Sequence, residues 1–195
     1  MPYDSYHLTD ITHDLRLYFS TASGILLTPK HVFFYNIGDS RSFMVRGEKN
    51  IAFSTVDHKP FNESEKSRIV AGGGRVQQGR VNGMLAVSRA LGDFELKSNP
   101  KLGQKAQLVS AEADVECIQR AKDDSFIAIC CDGIFDVQKN EELVEFVNDR
   151  LPTKYELTDL TEELIDFCCF RVQAFFAQKF ILILLFRARK IICPQ

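Results

Sequence analysis

FIAICCDGIFDV, residues 126–137, is the stretch whose reading decides the fold. Its first six residues are apolar or cysteine without interruption, and then Asp132 and Asp136 appear four apart. A short apolar run closed by a glycine-bearing turn reads as a buried strand. An isolated carboxylate is costly inside such a strand. Asp132 therefore marks the rim where irregular backbone opens to solvent.

Working towards the N-terminus, four more strands are predicted: GILLT (24–28), HVFFYNI (31–37), RSFMVR (41–46) and NIAFST (50–55). They are rich in β-branched and aromatic residues and are separated by turn residues at 28–30, 38–40 and 47–49. Such close spacing predicts an antiparallel meander. A helix follows, with Asn62 as its cap, Glu65 completing a capping box and Gly72 as its stop. Residues 72–103 read as loop, with turns at Asn82-Gly83 and Gly92-Asp93. QLVSA (107–111), DVECIQ (114–119) and FIAICC (126–131) read as strands.

Beyond residue 137, NEELVEFVNDRL (140–151) has one apolar face, an Asn140 cap and two glutamates at the positive end of the dipole. A third helix is predicted from about Asp159. Strands and amphipathic helices together make a mixed α+β layered domain. In the tail, FILILLF (180–186) sits between Lys179 and Arg187. Seven apolar residues fall short of the roughly 20 that a membrane span needs. The run reads as a buried strand, with an interfacial anchor or an unnatural tail as the other readings.

With 195 residues, 45% hydrophobic and 26% charged, the chain is long enough for one domain with a real core. Its net charge of -2 and the absence of basic clusters interleaved with aromatics argue against a nucleic-acid partner. Six cysteines, with no C-x-x-C spacing, form neither a zinc pattern nor a disulfide framework. They fit a reducing compartment, cytoplasmic or nuclear. The first 20 residues lack the basic start and apolar run of a signal peptide.

Asp132 has two readings. Either it binds a hard cation such as Mg²⁺, Mn²⁺ or Ca²⁺, or it makes an Asx turn with Gly133 while Asp136 caps a short helix. Asp39, in Gly38-Asp39-Ser40-Arg41 after another apolar strand, has the same two. Arg80 and Arg89 lie in a loop rich in small residues. They read as phosphate-binding forks or as structural partners of Asp93 or Glu95. Ala71-Gly72-Gly73-Gly74 lacks the Gly-Lys-Ser/Thr ending of a phosphate loop.

Together, GDSR (38–41), DHKP (57–60), AGG (71–73), RVNGMLAVSRALGD (80–93) and CDGIFD (131–136) resemble the metal-dependent protein phosphatase 2C (PPM) family in order and spacing. The resemblance runs from about residue 20 to 168. It divides the chain into a divergent segment (1–19), a partial phosphatase domain (20–168) and a divergent apolar and basic tail (169–195). It implies a four-layer αββα sandwich of two antiparallel sheets with flanking helices, incomplete here. It also implies metal-dependent hydrolysis of phosphoserine and phosphothreonine in proteins.

In that family two divalent ions, Mg²⁺ or Mn²⁺, share a bridging water. The resemblance makes Asp132 a ligand of this centre and lets Asp39 join it at a further, weaker metal. It places residues 60–107 in the flap beside the cleft, with Arg89 and Arg80 as candidate substrate contacts. The family's D-G-H-G-G and Asp-Asn motifs do not occur in this sequence, and none of its four histidines precedes a glycine. The expected centre is therefore incomplete, and the alternative is a non-catalytic pseudophosphatase or binding fragment. Phosphoprotein substrates are expected as partners, with a monomeric state and no membrane role except a weak one through 180–186.

Overall fold

The computed structural model describes residues 18–151, 157–171 and 183–187. They form two compact units. The larger takes residues 23–57 and the described residues from 114 onward; the smaller takes 58–113 and 18–22.

The larger unit is a sandwich. Strands β2 (Ala22–Leu27), β3 (His31–Ile37) and β9 (Asp114–Gln119) form a three-stranded sheet in the order β2-β3-β9. Strands β4 (Arg41–Arg46), β5 (Asn50–Ser54), β10 (Asp124–Cys130) and β11 (Ile183–Arg187) form a second in the order β11-β10-β4-β5. The pairings that fix these orders, β3 with β9 and β10 with both neighbours, are antiparallel. The central place of β10 explains its uninterrupted apolar sequence. Phe126, Ala128 and Cys130 point to one core; Ile127 and Ile129 point to the other.

The second core lies between the sheets, where Ile127, Ile129 and Met44 meet Val32 and Phe34 of β3. The first is closed by helices α3 (Asn140–Arg150) and α4 (Leu157–Arg171). Leu143, Val144, Val147, Leu160 and Leu164 pack there against Phe43, Val45 and Phe126. No helix among the described residues covers the outer face of the three-stranded sheet, where Val115 of β9 is 62% exposed. Three of the four expected layers are thus in place. In the apolar tail, Ile183–Arg187 adds an edge strand to β10; residues 180–182 lie outside the described residues. No described helix is long and apolar enough to cross a membrane.

The smaller unit holds α1 (Glu63–Ala71), the two-stranded pairs β6 (Val76–Gln77) with β7 (Arg80–Val81) and β1 (Phe19–Ser20) with β8 (Leu91–Gly92), and short 3₁₀ turns. Its core is a cluster around Ile69, Val81, Val87, Ala90 and Val109. QLVSA is not a strand here. Val109 and Ser110 spend their amides on the carbonyls of Leu96 and Ser88, and Ser110 makes only an isolated bridge with Arg89. Burial, and not a ladder, accounts for its apolar character.

Gly92 closes the β1–β8 pair at φ +75, and a Cβ there would lie 2.3 Å from the Tyr18 carbonyl oxygen. Both the left-handed backbone and the clash exclude other residues. Gly92→Ala should lower stability by about 1–3 kcal/mol, read as a fall in Tm. Gly103→Ala is the control: φ is -66 and no atom lies within 4 Å of the added carbon. Its Tm should stay the same or rise slightly.

Candidate active site

Asp39 and Asp132 leave the four-stranded sheet at one end. In the antiparallel ladder Ala128 faces Phe43, Ile129 faces Ser42 and Cys130 faces Arg41. Each step forward on β10 is a step back on β4, so two steps past the last pair lead to Asp132 and Asp39. Asp39 is 8% exposed and follows Gly38, whose φ of 97 makes the turn. Asp132 is half-buried and opens a single helical turn, α2 (Asp132–Phe135). Asp136 follows that turn, and its amide donates to the Asp132 carbonyl at 2.8 Å.

Arg41 ties the surrounding motifs together. Its Nε and Nη2 donate to the two carboxylate oxygens of Asp57 at 2.8 and 2.9 Å, a bidentate fork. Nη1 donates to Asn140 Oδ1 at 2.7 Å, and the guanidinium lies 4.2 Å from the centre of the Phe135 ring. The Arg of GDSR thus reaches the Asp of DHKP. Asn140 is not the cap expected for α3. It is the first helical residue, and its amide also donates to Ser54 Oγ at 3.3 Å. Lys139 caps instead, its amide donating to Glu142 at 3.0 Å.

In the smaller unit the polar hub is Glu65, 3% exposed. Arg89 grips it with Nη2 at 2.7 Å and Nε at 3.1 Å, Arg68 donates at 2.8 Å, and the Ser88 hydroxyl lies at 2.6 Å. Arg68 also donates to the carbonyls of Gln107, Leu108 and Ser88. The expected capping box at Asn62 does not form: that side chain makes no cap hydrogen bond, and Glu65 turns to the arginines. Arg89 therefore pairs with Glu65. Arg80 is exposed and donates to the Met84 carbonyl at 2.9 Å.

Burial acts to raise the Glu65 pKa, but hydrogen bonds from Arg89, Ser88 and Arg68 outweigh it and hold the group at about 2. In the other unit, burial pushes the Cys130 thiol up, with Cys131 and Cys168 adding to it. Cys130 is a packing residue, not a nucleophile.

Asp39 and Asp132 are hard oxygen donors of the kind that holds one hydrated divalent cation. Among the described residues no group of three or more His, Cys, Asp or Glu side chains could hold a metal. Two carboxylates are too few ligands for a bridged pair of ions.

A folded-state pKa below the ordinary carboxylate value means that Glu65 stabilises the fold above pH 4.5 and loses this contribution as pH falls towards 2. The shift from 4.5 to about 2 corresponds to about 3 kcal/mol. Urea unfolding should show Glu65→Gln less stable than the parent at pH 7, with the gap narrowing steadily between pH 4.5 and 3. A gap independent of pH would contradict this assignment.

Comparison with known proteins agrees with the motifs. The Protein phosphatase 2C family model matches residues 14–173. Rat Protein phosphatase 1B is 49% identical over 149 residues, covering 76% of this chain and 38% of the relative. Human Protein phosphatase 1A is 49% identical over 153 residues, covering 78% and 40%. A crystal structure of a phosphatase from Toxoplasma gondii superposes with a TM-score of 0.71 at 30% identity, covering 80% of this chain and 47% of that one. The chain thus spans about 40% of the length of these curated relatives. The matched span, the relatives and the antiparallel sandwich agree, and the chain belongs to the protein phosphatase 2C family.

Proposed function

We infer that the chain carries part of the catalytic domain of a Ser/Thr protein phosphatase, acting on phosphoserine and phosphothreonine in proteins. In this reading Asp39 and Asp132 face the metal position, with Mg²⁺ or Mn²⁺ as the ion. The observation that supports it is the β4–β10 register, which carries both carboxylates out of the same end of the sheet. A divalent ion there supplies Lewis acidity and lowers the pKa of bound water. The chain's own contribution is positional. The Gly38 turn sets Asp39, and Arg41 stacked on Phe135 braces the helical turn that Asp132 opens. We place the protein in a reducing compartment, cytoplasmic or nuclear, as a monomer; none of the five described cysteines forms a disulfide.

A second reading, a phosphoprotein-binding module without turnover, is favoured by the lack of a three-ligand metal group among the described residues. One experiment separates them. Mn²⁺ is titrated into the full chain by calorimetry, and release of phosphate from a phosphothreonine peptide is followed in parallel. Asp132→Asn should weaken Mn²⁺ binding at least tenfold and abolish any Mn²⁺-dependent release, with circular dichroism unchanged. Equal Mn²⁺ affinity in parent and variant would overturn the metal role of Asp132. Peptide binding with no phosphate release in the parent would favour the second reading.

A further inference from the structure

Strand β9 ends the three-stranded sheet, and no described strand pairs with its outer edge. The ladder with β3 tells which backbone groups lie there. Just past β9 the Arg120 amide donates to the Lys30 carbonyl at 2.9 Å, so these two residues form a hydrogen-bonded pair. In an antiparallel ladder such pairs alternate. The register therefore makes Val32 with Ile118, Phe34 with Glu116 and Asn36 with Asp114 hydrogen-bonded pairs as well. Val115, Cys117 and Gln119 turn their amides and carbonyls the other way, to the outer edge. The Gln119 carbonyl, on that side, accepts from Arg46 Nη2.

The side chains divide this edge into two faces. Val115 and Cys117, opposite Tyr35 and Phe33, share an apolar face; Val115 is 62% exposed and Tyr35 42%. Asp114 and Glu116 share the other face, and both are exposed. Open edges are commonly blunted by proline, lysine, a bulge or shortness. β9 has six residues, neither proline nor lysine, and an unbroken register with β3. Its guard is negative charge. Two copies paired edge to edge would bring both pairs of carboxylates to one seam, while the neighbouring Arg120 is committed to the Thr28 carbonyl at 3.1 Å. A cationic strand meets no such barrier.

We propose that β9 takes up an extended polypeptide segment of alternating basic and apolar residues, added antiparallel as the next strand of the sheet. Main-chain hydrogen bonds to Val115 and Cys117 hold it, and alternate side chains give the selectivity. Positions opposite 115 and 117 lie on the apolar face. Positions opposite 114 and 116 carry lysine or arginine. Against the added strand, 114 and 116 fall at the non-hydrogen-bonded pairs, where facing side chains come closest. Opposite charges at such positions stabilise the pairing. The edge needs neither a metal nor turnover, so the site stands whether or not the phosphatase reading does.

The test is nuclear magnetic resonance on the ¹⁵N-labelled full chain, titrated with the peptide acetyl-TVKVKT-amide. Saturable binding should slow hydrogen exchange at the Val115 and Cys117 amides and leave those of Glu116 and Ile118, already bonded to β3, unchanged. Two control peptides should bind at least tenfold more weakly: TVEVET, and TVKVKT N-methylated at both valines, which keeps every charge and loses only the donors. Val115→Pro removes an outward amide without touching the β3 ladder, a place where edge strands accept proline, and should weaken binding at least tenfold. Glu116→Lys, an exposed change, should narrow the preference for TVKVKT over TVEVET to less than threefold. No saturable binding, equal binding of the N-methylated peptide, or a preference unchanged by Glu116→Lys overturns the proposal. Protection of the same two amides that rises with protein concentration, without peptide, assigns the edge to a second copy and overturns it too.

Discussion

Strand β10 has a hydrophobic core on each side, and this constraint organises the larger unit. From Phe126 to Cys130 every side chain enters one core or the other. A charge within that span has no solvent to reach, so the first carboxylate waits until the ladder ends. The neighbouring strand β4 obeys the same rule, with Phe43 and Val45 on one side and Met44 on the other. Because the strands are antiparallel, the start of β4 and the end of β10 coincide in space. Packing alone therefore sends Asp39 and Asp132 out of the same end of the sheet. A slip of one residue would turn Ile127 and Phe126 to the wrong cores.

Arg41 sits at this boundary, and its burial is only tolerable because each part of the guanidinium is used. One edge is forked by Asp57, the remaining nitrogen meets Asn140, and the face lies on Phe135. A lysine would keep the charge and lose the fork and the stacking. The consequence is geometric. The strand that Arg41 opens, the loop carrying Asp57, the turn after Asp132 and the first residue of α3 are all referred to one planar group.

Where the sequence is legible, the reason is local. Alternating or continuous apolar runs located β3, β4, β5 and β10 within a residue or two, because burial is written in the side chains themselves. The place of Asp132 at the end of β10 follows from the same run. The failures share a different cause. Glu65 and Asn140 both stand at helix starts, where capping is the local expectation. Each instead serves a distant partner, Glu65 reaching Arg89 and Asn140 reaching Arg41. A half-buried arginine competes better than a backbone amide for a side-chain oxygen, and no periodicity in the chain reports it. QLVSA failed likewise: Val109 and Ser110 are buried, yet their amides go to Leu96 and Ser88 outside any ladder.

The smaller unit shows why such distant partners are needed. Its apolar cluster around Ile69 and Val109 is small for the residues it must order. Hydrophobic contact is also non-directional, so many packings of a short helix on loops would satisfy it. Glu65 adds direction. Its two oxygens must meet the fork of Arg89, the hydroxyl of Ser88 and one arm of Arg68, whose other contacts reach Gln107 and Leu108. A carboxylate buried with fewer partners would carry an uncompensated charge, so near-miss packings are penalised steeply. An apolar residue of equal volume at 65 could hold the same space. It would not require the segments at 68, 88–89 and 107–108 to arrive in one arrangement.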